Sequence, residues 1–314
     1  MRLVRGLHNL HGQQATPCVL TIGNFDGVHL GHQRILARVN ERAAAEDLQS
    51  AVMIFEPQPI EWFRPDQAPA RLMSLRDKLR ALQCYGVQKV FCARFNKAFQ
   101  SLSASEFVQY VLVDGLNVRH LVVGDDFRFG AGREGDFAYL QRAGQTHGFT
   151  VEDTPTCEYS GKRVSSTRVR EALQAGRLTH AVTLLGHPYQ VSGRVHHGDK
   201  IGRTINVPTA NLVLRHLHTP IRGVYAVTVS GAGVCDHPAV ASIGTRPTVG
   251  GTQWRLEVHL LHYQGDLYGK HLTVTLQHYL RPELKFDGLE QLKQAIDTDI
   301  QQATQWFSAK GLMS

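Results

Sequence analysis

The chain has 314 residues, 42% of them hydrophobic, 19% charged and 8% aromatic. That composition excludes a disordered tail protein, a collagen and a disulfide-stapled scaffold, and at ~150 residues per domain the length predicts about two domains. Lys and Arg number 34 against 27 Asp and Glu, for a formal charge of +7. This excess favours anionic partners such as nucleotides, phosphorylated metabolites or nucleic acid without choosing among them.

The five cysteines, Cys18, Cys84, Cys92, Cys157 and Cys235, are widely spaced and form no CxxC pair. An odd, scattered set argues against a disulfide framework or a zinc site and predicts a reducing, cytoplasmic setting. Met1-Arg2 is not followed by an apolar signal core. Uncharged stretches such as Gly223 to Cys235 carry Gly and Ser and fall short of the ~20 apolar residues of a membrane span.

The first half alternates strand-like and helix-like segments. Val19–Ile22 reads as a buried strand, followed by a helical pattern over about 31–47. Ala51–Phe55 is a second strand, and Ser74 caps a helix running to Cys84. Lys89–Phe95 is a third strand, Ser103–Val113 a helix, His120–Gly124 a fourth strand and Gly135–Thr146 a helix. Val- and Ile-rich strands between helices predict a parallel sheet covered on both faces, with ligands at the carboxyl ends of its strands. A helical pair, Ser166–Ala175 and Leu178–Leu185, follows. Past Gly186-His187-Pro188 the pattern shifts to period-two segments, Tyr225–Val229, Leu256–Leu260 and Leu272–Leu276, punctuated by Gly, Pro and Asp. These predict a small antiparallel β-barrel, and the tail over 289–307 returns to helical spacing. The division is expected near residue 186, giving domains 1–186 and 187–314.

Gly23-Asn24-Phe25-Asp26-Gly27-Val28-His29-Leu30-Gly31-His32 follows a strand and opens a helix. His29 and His32, three apart, share a helical face, and Gly31 between them lets backbone approach a ligand. Unpaired N–H groups at the helix start and two imidazoles suit the triphosphate of ATP and charge developing on its α-phosphorus. Gly124-Asp125-Asp126-Phe127-Arg128-Phe129-Gly130 ends another predicted strand and reads equally as a polar turn. Ser166, Thr167 and Arg168 begin a helix, with hydroxyls suited to capping and a guanidinium suited to phosphate oxygens.

In the second half Gly193-Arg194-Val195, His197-Gly198-Asp199-Lys200 and Gly202-Arg203-Thr204 read as a Gly-rich basic loop able to wrap phosphates. It leads into Pro208-Thr209-Ala210-Asn211, where Thr209 and Asn211 fall on one side of an extended segment and offer oxygens suited to Mg²⁺. Glu257 interrupts an apolar strand and shares a face with Arg255 and His259. It is either a solvated charge or a general base that accepts a hydroxyl proton as phosphate arrives.

These motifs together resemble the bacterial bifunctional riboflavin kinase/FAD synthetase family. The first half is similar to its adenylyltransferase module through the segments 23–32, Phe55-Glu56-Pro57-Gln58-Pro59, 124–130 and 165–170. The second half is similar to its riboflavin kinase module through G-R-V-x-H-G-D, G-R-T, P-T-A-N, G-V-Y at 223–225, I-G-T-R-P-T at 243–248, L-E-V-H-L-L at 256–261 and L-R-x-E-x-K-F at 280–286. The resemblance implies a Rossmann-like nucleotidylyltransferase sheet, an antiparallel barrel and a C-terminal helix. It implies phosphorylation of riboflavin by ATP to FMN, then adenylyl transfer from ATP to FMN, giving FAD and pyrophosphate, with Mg²⁺. Under it Gly23, Asn24, Asp26, His29, Gly31, His32, Ser166, Thr167 and Arg168 meet ATP. Asp125, Phe127 and Arg281 lie by the flavin, Thr209 and Asn211 hold Mg²⁺, and Glu257 is the base. Gln58 stands where relatives often have His, Ser242 where Asn is common and Val207 where Phe is usual.

Two other readings stand beside this one. An adenylyltransferase for another small phosphorylated acceptor, carrying an inactive barrel, would make no FMN. A nucleic-acid-binding protein would need a contiguous basic stripe with interleaved aromatics, whereas Lys and Arg here are dispersed among acids. Self-association is not readable from the sequence.

Overall fold

The computed structural model describes residues 1–10, 15–124, 126–197, 207–214, 219–248 and 251–313. The chain divides into two compact units, Met1–Pro69 with Lys78–Ser165, and Ala70–Asp77 with Ser166–Ser314. The helix pair expected to close the first half therefore clusters with the second unit.

In the first unit the chain runs β1 (Arg2–Arg5), β2 (Cys18–Ile22), α1 (Leu30–Ala45), β3 (Gln49–Glu56) and α2 (Pro59–Phe63). Then follow α3 (Leu75–Cys84), whose first turn belongs to the second unit, β4 (Lys89–Arg94), α4 (Lys97–Gln100), α5 (Ala104–Glu106), β5 (Val118–Val123), α6 (Phe137–His147) and β6 (Thr150–Asp153). A short hairpin, β7 (Glu158–Tyr159) with β8 (Lys162–Arg163), ends it. Strands β1 to β6 form a parallel sheet in the order β1-β4-β3-β2-β5-β6. Successive residues of β2 serve opposite faces. Leu20 enters the larger core with Met53, Phe91, Val111 and Leu121, while Val19 packs with Val39 and Ala43 of α1. Both faces are thus covered, as a parallel sheet requires. From β2 the chain winds out through β3 and β4, whereas β5 and β6 lie on the other side. The β2/β5 boundary is the switch point of strand order, where open α/β sheets bind ligands.

The expected helix over 103–113 takes a different form. Ser103 caps α5, with its Oγ accepting from Glu106 N at 3.2 Å and its N donating to Glu106 Oε2 at 2.8 Å, but Phe107–Val113 continues as a π-helix. Its buried Phe107, Val108, Val111 and Leu112 have a spacing that an α-helix would also satisfy, so the pattern could not tell the two apart. Ser74 does cap α3, accepting from Asp77 N at 3.1 Å.

The second unit adds α7 (Ser166–Gln174), α8 (Leu178–Leu185) and the strands β9 (Gln190–His196), β10 (Ala210–Val213), β11 (Gly223–Gly231), β12 (Val234–Thr248), β13 (Gly251–Leu260) and β14 (His271–Arg281). The strands close an antiparallel barrel in the order β10-β13-β12-β11-β14-β9. Alternate residues such as Val195, Leu212, Ala241, Ile243, Leu256 and Val258 are buried. The C-terminal helix α9 (Leu289–Ala309) seats Ala303 and Phe307 against Val224, Ala226, Val240 and Leu261, an apolar patch of the barrel wall. Gly193 and Arg194 lie within β9 rather than in a loop; a Cβ at Gly193 would stand 3.3 Å from Leu212, so glycine there serves close packing.

Gly223 opens β11 at φ +113°, and a Cβ there would lie 2.6 Å from the Arg281 carbonyl oxygen. Gly223→Ala combines that clash with a backbone region that L-residues avoid, and is expected to cost about 2 kcal/mol or more. Denaturant unfolding of the full chain checks this, and an unchanged barrel transition would contradict it.

Candidate active sites

The turn after β2 is wound tightly. Gly23 N donates to Met53 O at 3.1 Å, tying it to β3, and Phe25, Gly27 and Val28 all adopt positive φ, at 47°, 86° and 39°. For a β-branched residue such as Val28 this is strained backbone, of the kind that gathers at ligand sites. The strain delivers His29 to the N-cap of α1, where its Nδ1 accepts from His32 N at 3.4 Å. The proton of a neutral His29 ring is then on Nε2. The His29 and His32 rings stack at 3.7 Å, and Phe25 closes on His32 at 4.9 Å. Gly31 is what allows this, since a Cβ there would press on the His29 ring at 3.2 Å. Burial, and after it the electrostatic influence of His29, Lys78 and Arg163, hold the His32 imidazole well below its usual range. Its Nδ1 is buried without a protein partner. A neutral donor-acceptor ring with an unsatisfied buried nitrogen fits a bound ligand.

Asp26 is buried and Asn24 half-buried in the same turn. Across the switch point, Phe127 N closes a turn on Gly124 O at 3.0 Å, and the Phe127 ring stacks on Phe129 at 5.7 Å. Phe127 is therefore part of the wall beside β5, while Asp125 lies outside the described residues. Asp126 pairs with Arg163 at 2.9 Å. Gln58 follows the carboxyl end of β3, 4% exposed, with Nε2 unpartnered. The sequence singled it out only as a departure from the family pattern. Ser166, Thr167 and Arg168 open α7 in the second unit.

In the barrel, strand pairing lays the candidate residues in one row. His196 of β9 faces Asn211 of β10, Asn211 faces Glu257 of β13, Glu257 faces Ser242 of β12, Ser242 faces Val224 of β11, and Val224 faces Arg281 of β14. Directly opposed residues of antiparallel strands present side chains on the same face. Two cavities adjoin this row. One, of about 300 Å³, is lined by Val195, Thr209, Asn211, Asp266 and Tyr268 among others. The second, of about 240 Å³, is lined by Glu257, Ser242, Arg281 and Asp299 with an apolar group including Val207, Leu284, Phe286 and Ile296. Thr209 lines both. His259 Nδ1 meets the Pro208 carbonyl oxygen at 2.8 Å and so fixes the Pro208–Thr209 segment to β13. Asn211 Nδ2 donates weakly to the Thr209 carbonyl oxygen at 3.4 Å, so the side-chain nitrogen faces the backbone and the amide oxygen is the group left to act as a ligand.

His197 stacks on Tyr268 at 4.0 Å, beside the first cavity. Gly193 lines neither cavity. Gly198, Gly202, Arg203 and Thr204 lie outside the described residues. The sequence reading missed Asp299; it placed Glu283 only in a charged cluster that reads as surface, and Tyr268 only in the family-like D-L-Y-G segment at 266–269, with no role for either. Glu283 lines the second cavity, and its carboxyl, pushed up by burial against the opposing pull of Arg222, occupies the space a Cβ at Gly244 would take. Asp299 lies on a helix whose sequence reads as an ordinary amphipathic pattern, with no local signal of its role.

A strained histidine turn at a parallel-sheet switch point, joined in one chain to a barrel with a carboxylate-amide-hydroxyl row, is the architecture of a two-module nucleotide-dependent transferase. Residues 11–168 match the FAD synthetase family and 185–307 the riboflavin kinase family. The bifunctional riboflavin kinase/FMN adenylyltransferase of Escherichia coli strain K12 is 52% identical, covering 98% of both chains; that of Pseudomonas fluorescens is 53% identical, covering 96% of both. A solved structure described as a macrolide-efflux protein from Streptococcus pneumoniae shares the fold with a TM-score of 0.79 at 29% identity, covering 96% of this chain and 98% of that one. The chain belongs to the bifunctional riboflavin kinase/FMN adenylyltransferase family. No helix among the described residues is long and apolar enough to cross a membrane.

The His32 assignment has a pH consequence. With its folded-state pKa below that of the unfolded chain, the unfolded state binds the extra proton as pH falls below about 6.5, and stability is lost over that window. His32→Gln is expected to flatten the decline in melting temperature between pH 7.5 and 5.5, as read by calorimetry. Parallel declines in the two proteins would contradict a buried neutral His32.

Proposed function

We propose that the two reactions run at these two separate sites, riboflavin phosphorylation in the barrel (187–314) and FMN adenylylation at the parallel sheet (1–186), in the cytoplasm. The observation that carries the kinase reading is the row placing Glu257 beside Asn211, with Thr209 bordering both cavities. ATP in the first cavity and riboflavin in the second would then meet at Thr209. Glu257 accepts the proton of the ribityl 5′-hydroxyl as its oxygen bonds to the γ-phosphorus, and ADP leaves. Thr209 and Asn211 fit Mg²⁺, since a hydroxyl and an amide oxygen are hard donors. Among the described residues no group of three or more His, Cys, Asp or Glu converges into a self-sufficient metal centre. These two residues would therefore share the ion with phosphate and water. Bound there, the ion supplies charge neutralisation for the transferring phosphoryl group.

At the sheet, an FMN phosphate oxygen attacks the α-phosphorus of ATP and pyrophosphate leaves. His29, donating from Nε2, and the neutral His32 stabilise the charge that develops, with Gly31 keeping the rings in place. Asn24, Asp26 and the start of α1 orient the phosphates, and Phe127 borders the flavin.

Glu257→Gln is expected to reduce FMN formation from riboflavin by roughly 10²- to 10⁴-fold while leaving FAD formation from supplied FMN intact, and His32→Ala to do the reverse. Chromatographic separation of flavins reads both. Loss of both activities from either substitution in a folded chain would sink the two-site assignment. Chelation with EDTA should stop FMN formation and added Mg²⁺ restore it; undiminished turnover of the stripped enzyme would contradict the oxygen-donor assignment.

A further inference from the structure

The flavin cavity of the barrel is closed on one side by α9, through Leu292, Ile296 and Ile300. That helix also brings a carboxylate to the end of the catalytic row. Arg281 Nε donates to Asp299 Oδ1 and Arg281 Nη2 to Asp299 Oδ2, both at 2.7 Å, a bidentate pair. Arg281 Nη1 also donates to Pro282 O at 3.0 Å. Asp299 is only 3% exposed, and both residues line the cavity. Of the five N–H groups of a guanidinium, these bonds engage three and leave two for a ligand. Asp299 neutralises the charge in place, so what Arg281 offers is directional donors suited to the neutral carbonyl and nitrogen acceptors of a heteroaromatic ring.

Glu257 and Arg281 line the same cavity. A flavin held there would offer its terminal ribityl hydroxyl to Glu257 and its ring edge to Arg281. The apolar lining between them, Leu284 and Phe286 included, suits the faces of the ring.

We infer that Asp299 of the C-terminal helix is a positioning residue for riboflavin, holding the Arg281 guanidinium so that its remaining N–H groups meet the acceptor edge of the flavin ring. The inference rests on the proposed placement of riboflavin in this cavity. Without the carboxylate the long Arg281 side chain loses its two-point tether and must be reordered each time substrate binds, a cost that falls on binding rather than on phosphoryl transfer.

The test uses the full chain. Asp299→Asn is expected to raise KM for riboflavin tenfold to a hundredfold, the equivalent of one or two charged hydrogen bonds. Its kcat should stay within about threefold of wild type, with KM for ATP and FAD formation from supplied FMN unchanged. Since removing one partner of a buried pair can unfold a domain, a second variant, Arg281→Met with Asp299→Leu, removes both charges and keeps an apolar contact. It should show the same rise in riboflavin KM and a barrel transition close to wild type. The inference is overturned if Asp299→Asn lowers kcat with KM unmoved, if it changes neither, or if the double variant binds riboflavin like wild type. A Glu257→Gln chain that still made FMN would instead sink the underlying site assignment, so the two failures are distinguishable.

Discussion

The proposed kinase site depends on the register in which β10, β13 and β12 pair. Side chains alternate across a strand with period two, so a slip of one residue would send Glu257 into the barrel interior and bring Leu256 or Val258 out. What prevents the slip is the interior itself. Leu212, Leu256, Val258, Ala241 and Ile243 are buried at or near zero exposure, and each would have to leave the core together. The hydrophobic lining of the barrel therefore does more than stabilise it. The same alternation that buries one set of residues lines up Asn211, Glu257 and Ser242 on the other face. Chemistry there needs few special residues, because the sheet spaces them.

The adenylyltransferase half solves a similar problem by opposite means. No row of strands presents its histidines; a short strained turn does, with positive φ at Phe25, Gly27 and Val28. The turn is anchored by the buried strand β2 that precedes it and by its bond to β3, and the result is a pair of stacked imidazoles at a helix start. Burial keeps His32 neutral, so the pair can stack at 3.7 Å without two cations in contact. Fixed donors suit a reaction in which charge moves onto phosphate oxygens and little covalent chemistry falls to the protein. Both halves then share one principle, which is positioning rather than an activated protein nucleophile.

Much of this was legible in the sequence, for identifiable reasons. The parallel strands β2 to β5 carry buried apolar runs such as Ala51–Ile54, Val90–Ala93 and Leu121–Val123, which a doubly covered sheet requires, and the histidine turn sits where strand gives way to helix. The short edge strand β1 was not legible, since Arg2 and Arg5 flank only two apolar residues and its pairing partner β4 is distant in sequence. Nor was β9, because Gly193 and Arg194 look like loop residues until the side chain of Leu212 is seen against the glycine. The long strand β12 was hidden by Pro238, Gly244 and Pro247, which read as turn punctuation. Thr209, Asn211 and Glu257 could be named singly but not assembled, because cross-strand register is a tertiary fact. Asp299 was invisible for the same reason: its partner Arg281 lies on another element, and only the packed helix brings them together.

Coupling across the β10/β13 pair is the most direct measure of the central claim, that Asn211 and Glu257 act on one phosphoryl transfer because the barrel sets them side by side. A double-mutant cycle of Asn211→Ala and Glu257→Gln, read as kcat/KM for FMN formation, isolates that coupling. The account predicts that the double variant loses little more than the worse single variant. Losses that multiply in full, as for independent sites, would contradict it.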